Sequence, residues 1–379
     1  MKRLLLLFST TIIYFSCQQN SEKSSFGTLV LSDSTTLYIN EEIAPVTHSM
    51  QYSDGFIYWW NQNRGSITRL DLKDLSQINF LNYDYEGPNG VGTAMGFHIF
   101  NEDSILIPKA GNHLIYLINM KGEILNQYDY YTDSIDLSPA ISFSTFGVNF
   151  KSFGKKIIAL NQSYRPEFSS ISEARLKEYY PFIEIDLQNS ESRILPFQLS
   201  NSILQENQVQ FGTAFWIRDK FIYAKHYDSR ILYEFNLENY STKEYVLESN
   251  LLKNYTNDHL AGASMMDLDT FQRKYYQSAK TFAFAYDSHQ GIYYEFGWPG
   301  DEIPSDKPLT NIARYLPYYV INIYNDEFKL IGEYKTPRNT YLPHLFFIDE
   351  NGLNLFANHP DRPNAQEDVF EIHSFKYID

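Results

Sequence analysis

One cysteine in 379 residues leaves no intramolecular disulfide and no thiolate metal site, which needs several sulfur ligands. Long hydrophobic runs are missing too. The uncharged stretch from Leu4 to Phe15 falls well short of the roughly 20 apolar residues that span a bilayer. Basic residues are scarce: 31 Lys and Arg against 46 Asp and Glu give a net charge of −15, a surface that repels nucleic acid and anionic headgroups. The chain contains no G-x-S-x-G elbow, H-E-x-x-H, Walker loop, G-x-G-x-x-G or complete D-x-D-x-D-G calcium loop. "MDLDTF" from Met266 holds a D-x-D but neither the glycine nor the glutamate of that loop, and it reads as a helix start. No cofactor is indicated.

What is present begins with the leader. Lys2 and Arg3 precede the short apolar run, which ends in Tyr14-Phe15-Ser16-Cys17 before the chain turns polar. This is the layout of a secretory signal over residues 1–16. With Ser16 as the small residue before it, Cys17 resembles the acylated cysteine of a bacterial lipoprotein; an ordinary signal peptide with an incidental cysteine is the alternative. Several acyl chains would hold the protein stably on a membrane. Residues 17–25 then form a polar tether, and loss of Lys2 and Arg3 takes the charge to −17.

The body is rich in 31 Tyr and 28 Phe and alternates strand-like runs with turn signals. A polar turn followed by a compact apolar strand recurs at Phe56, Ile105, Ile157, Phe221, Ile292 and Leu353, at intervals of 49, 52, 64, 71 and 61 residues. Each anchor has a strand-like run before it and one after, and the first five have one more. Four strands in six units predict an all-β, six-bladed β-propeller over residues 26–379. The sixth unit lacks its fourth strand at Asp379, so "FGTLVLSDSTTLYI", residues 26–39, is expected to supply it and close the ring. Helical insertions are expected at about 166–179, where Ser170 and Glu173 form a capping box, and at 253–279. A seven-bladed ring or a pair of β-sandwiches is the alternative architecture.

The loops after the six anchor strands concentrate positive charge and aromatic rings in an acidic chain, and they are expected to surround the mouth of the central channel. They offer Trp60, Asn61, Arg64, Lys109, His113, Tyr164, Arg165, Lys225, His226, Arg230, Trp298, His359 and Arg362 as ligand-binding residues for an anionic or polyhydroxylated ligand. The alternative is that they pin their own loops through salt bridges. Glu295 and Asp301, with Asn61, Asn161 and Asn358, are the oxygen donors open to calcium. His98, His344 and His373 lie in strand-like runs and read as structural.

The lone Cys17 after an apolar leader, six aromatic blades and a closing N-terminal strand, with stretches such as "SDGFIYWW" and "FIDENGLNLFANHP", resemble the propeller lipoproteins of Bacteroidetes that carry a domain of unknown function. That resemblance implies an outer-membrane lipoprotein and brings no catalytic residues. The expected role is binding of a small molecule or glycan. A protein-interaction scaffold and a metal-assisted hydrolase are the alternatives.

Overall fold

The computed structural model describes residues 26–74, 78–110, 112–130, 150–160, 177, 179–201, 213–255, 268–301, 315–363, 365–366 and 368–379. Cys17 and most of the 166–179 insertion lie outside them.

Six four-stranded antiparallel sheets follow one another along the chain. The strand opening the described chain is β1 (Thr28–Tyr38), and blade one is β2 (Met50–Ser53), β3 (Phe56–Asn61), β4 (Ser66–Asp71) and β5 (Ile78–Asn82). Blade two is β6 (His98–Asn101), β7 (Ser104–Pro108), β8 (Leu114–Asn119) and β9 (Ile124–Asp129); blade three is β10 (Lys151–Phe153), β11 (Lys156–Leu160), β12 (Phe182–Asp186) and β13 (Glu191–Ile194). Blade four is β14 (Thr213–Arg218), β15 (Phe221–His226), β16 (Ile231–Asn236) and β17 (Thr242–Val246). After helix α1 (Leu268–Tyr275), blade five is β18 (Lys280–Asp287), β19 (Ile292–Trp298), β20 (Val320–Tyr324) and β21 (Leu330–Lys335). Blade six is β22 (Phe346–Asp349), β23 (Gly352–Phe356) and β24 (Val369–Ile378), completed by β1.

The anchor strands are therefore the second strand of every blade, and a six-bladed β-propeller is what the spacing predicted. The closing strand pairs from Thr28↔Ile378 to Tyr38↔Val369, with one bulge between Leu31 and Asp33, so the ring is shut by main-chain hydrogen bonds between the two ends of the described chain. The seven-bladed and sandwich alternatives are excluded by this topology. Of the two expected helical insertions, the second contains α1.

Blades adhere because alternate residues of each strand point to opposite faces and both faces are apolar. One cluster forms at each junction: Trp60, Phe97 and Ile107 between blades one and two; Leu106, Ile157 and Ile183 between two and three; Phe182, Phe197 and Phe235 between three and four. Tyr223, Tyr293 and Phe328 join four to five, Tyr294, Phe296 and Leu355 join five to six, and Trp59, Phe347 and Phe370 join six to one. Each such side chain contributes about 1.5–3 kcal/mol on burial, which explains the heavy use of Tyr and Phe. Turns are equally specified. Gly122 has φ +84 in the β8–β9 turn, where a Cβ would collide with the Asn82 carbonyl oxygen.

Candidate functional site

The first strands of the blades, β2, β6, β10, β14, β18 and β22, each stand at one end of their sheet order and together line a central channel with a cavity of about 670 Å³. Met50, His98, Lys151, Trp216, Phe284 and Phe346 lie three or four residues before the first turn of their blades, within one residue, about 3.3 Å, of a common level in the channel. Five are apolar, aromatic or imidazole. The sixth is a lysine.

Lys151 is half-buried, and its Nζ sits 4.3 Å from the centre of the Trp216 ring. No carboxylate pairs with it among the described residues, and burial lowers its pKa to about 8. The indole face attracts the ammonium but does not neutralise it. Next to it, Ser152 is exposed to the channel and its Oγ lies 2.8 Å from His98 Nε2. His98 is 9% exposed, and its Nδ1 has no hydrogen-bond partner among the described residues. Burial first, and then the charge of Lys151, lower the His98 pKa to about 3. It is neutral at physiological pH, too weak a base to drive Ser152 as a nucleophile, yet able to donate or accept one hydrogen bond. The rest of this end is ring surface: Phe346 stacks on Phe296 at 4.1 Å, and His344 sits edge-on to Phe282 at 5.8 Å.

The residues expected from the loops stand elsewhere: none of those described lines this cavity. The walls of this cavity are the first strands and the turns that follow them. Trp60 is buried and donates from Nε1 to Tyr83 Oη at 2.8 Å. Asn61, also buried, donates to Ser66 and Thr68 and accepts from the Ala44 amide. Arg64 is exposed and donates to the Glu41 carbonyl. These three do meet, in a second cavity of about 560 Å³ with Thr47, His48 and Tyr315. Lys109 is half-buried beside Gly92, and His113 packs edge-on to Tyr130 at 5.3 Å.

In blade four Lys225 is fully buried, 3.0 Å from Glu295 and 2.8 Å from Thr281 Oγ1. Tyr324, Asn322 and Tyr255 also donate to Glu295. Burial pushes that carboxyl up, and Lys225 with these donors brings it below the ordinary carboxylate range. His226 is buried and accepts from the Asp228 amide through Nδ1; Arg230 is exposed. Trp298 is buried with Nε1 donating to the Tyr276 carbonyl at 2.6 Å, and His359 is buried with Nδ1 accepting from the Asp361 amide. Arg362 makes a forked pair with Glu371, at 2.5 and 2.9 Å. Tyr164 and Arg165 lie outside the described residues. Of the charges these loops carry, Lys225 pairs with Glu295 of the next blade and Arg362 with Glu371 on the following strand.

The calcium donors are likewise engaged: Glu295 as above, Asp301 by Tyr318, and Asn358 by the Val369 carbonyl and the Glu371 amide. Asn161 lies outside the described residues, and no cluster of three or more His, Cys, Asp or Glu fit for a metal occurs among those described. His373 is structural, bridging Tyr341 and Glu371 at 2.8 and 2.6 Å. His98 and His344 are not confined to the core, since both line the channel cavity.

With this geometry in view, comparison with known proteins is informative about the fold. The family described as a domain of unknown function, DUF4221, matches residues 25–335. The chain belongs to that family. A solved DUF4221 member from Bacteroides vulgatus is similar at a TM-score of 0.81 and 16% identity, over 94% of this chain and 100% of that one. A solved protein from Bacteroides fragilis is similar at 0.56 and 8% identity, over 94% and 97%. At such identities the likeness of this DUF4221 chain to them is one of fold. No curated protein matches it.

Proposed function

We propose that this DUF4221 propeller is a ligand-binding protein whose site is the central channel, with Lys151 receiving an anionic group while an apolar or aromatic body lies against Trp216, Phe284 and Phe346. The observation that carries the reading is a desolvated ammonium with no carboxylate among the described residues, facing a cavity of about 670 Å³ lined by rings. That size is usual for a small-molecule site, and the lining sets aromatic rings beside polar and charged groups. An incoming carboxylate or phosphate would replace the water that Lys151 has lost and form a charge-assisted bond.

The same proposal sets the protein in the cell envelope, held to the outer membrane through acylated Cys17. The sequence layout around that residue supports it, as does the name of the Bacteroides fragilis protein, which expects export. Detergent-phase partitioning checks the anchor, with the wild type expected in the detergent phase and Cys17→Ser in the aqueous phase.

The channel reading is tested by thermal shift of the full chain in mild detergent with benzoate, phenyl phosphate and neutral benzyl alcohol. A probe at about 100 times its Kd adds roughly 2.7 kcal/mol. The two anions are expected to raise Tm in wild type and not in Lys151→Met. Equal shifts in both proteins, or none in either, would contradict the reading.

A further inference from the structure

The channel cavity is charged at both ends, with opposite sign. Lys151 is the sole Lys or Arg among its lining residues, and Asp54 and Glu102 are the sole acids. Glu102 follows β6 directly, four residues after His98, and Asp54 follows β2, four residues after Met50; both are exposed. The hydrogen bond between His98 and Ser152 ties β6 to β10 beside Lys151. Lys151 stands three residues before its own turn, as Gln51 and Ile99 stand before Asp54 and Glu102, so at about 3.3 Å per residue the two acids lie roughly 10 Å along the channel from its level. Nearby cations do not cancel them. Arg218 pairs with Asp326 at 2.7 Å, and neither it nor Lys155 lines the cavity.

Between the two ends the lining mixes Tyr52, Ile99 and Ile348 with Gln51, Ser53, Asn101 and Ser152. The backbone there matters as much as the side chains. Each first strand is the terminal member of its sheet, so its channel-side edge has no strand neighbour to bond. An edge of this kind is a template for an added extended segment.

We infer that the ligand of this site is an elongated zwitterion, a short extended peptide with free termini, its carboxylate on Lys151 and its ammonium between Asp54 and Glu102. The inference rests on the reading that the channel binds an anion through Lys151. Three extended residues span about 10 Å, the distance between the charged ends. The peptide's own amides supply what the strand edges lack, which a simple aromatic acid does not.

Calorimetric titration of the full chain in mild detergent tests this with Ala-Phe-Ala, its N-acetyl form and its C-terminal amide. The free peptide is expected to bind, and each block to weaken binding at least tenfold. The N-acetyl penalty should vanish in the double variant Asp54→Asn with Glu102→Gln, and the amide penalty in Lys151→Met; melting curves of both variants confirm that they fold. Should the N-acetyl peptide bind as tightly as the free one, the zwitterion inference is overturned while benzoate binding still upholds the anion site. A protein that shifts with benzoate but binds no peptide has the same consequence. If neither benzoate nor peptide binds, both readings fall.

Discussion

Two lysines in adjoining blades, Lys151 and Lys225, show what separates a finished interior from a site. Lys225 has a side chain 0% exposed, and it faces Glu295 at 1% exposure. Thr281 accepts from it, and Glu295 in turn takes bonds from Tyr255, Asn322 and Tyr324. Every charge there has a partner, and nothing is left for a ligand to do. Lys151 has lost much of its water without gaining a counter-charge among the described residues, and meets only the face of Trp216. A cation left this way costs stability in the free protein and favours whatever neutralises it.

The sharpest way to break the comparison is to make the finished site resemble the open one. Glu295→Ala strands Lys225 in a dry interior and should cost about 3–5 kcal/mol in urea unfolding. Tyr324→Phe removes one hydrogen bond to the carboxylate, made at 2.7 Å, and should cost about 1.5–3 kcal/mol by the same measurement. Lys151→Met goes the other way, since it deletes a half-buried charge with no carboxylate partner among the described residues: a gain of about 1 kcal/mol is expected, together with loss of the benzoate shift.

The smallest effect is on pH. Lys151 has a folded pKa of about 8 against an ordinary 10.5, so between these values the unfolded chain binds the extra proton and the folded protein does not. Stability from this group therefore rises with pH through that window, and the advantage of Lys151→Met over wild type should shrink above about pH 8. Benzoate affinity has the opposite slope. It should be greatest below pH 8 and fall by about tenfold per unit above it, because the neutral amine offers no charge.

Much of the architecture was legible because it is written in local patterns. The turn-then-strand motif at Phe56, Ile105 and their four counterparts marks the second strand of each blade, and the missing last strand pointed to residues 26–39 as its substitute. The site was less legible. Positive charge in the loops looked available because the acids that neutralise Lys225 and Arg362 lie elsewhere: Glu295 in another blade, and Glu371 on the next strand. Lys151 opens the three-residue strand in "NFKSFGKK", with Lys155 and Lys156 just after it, and nothing local distinguishes it. Aligning the first strands on their turns does distinguish it. Three residues before each first turn stand Gln51, Ile99, Lys151, Trp216, Ala285 and Phe347, among which it is the one Lys or Arg.

The most direct test of a channel site is a crystal structure of the protein with 4-bromobenzoate, with bromine located by its anomalous signal. Bromine inside the ring beside Trp216, with the carboxylate on Lys151, is the predicted result. Bromine in the outer cavity beside Trp60, Asn61 and Arg64, with the channel empty, would contradict the account and return the site to the loops.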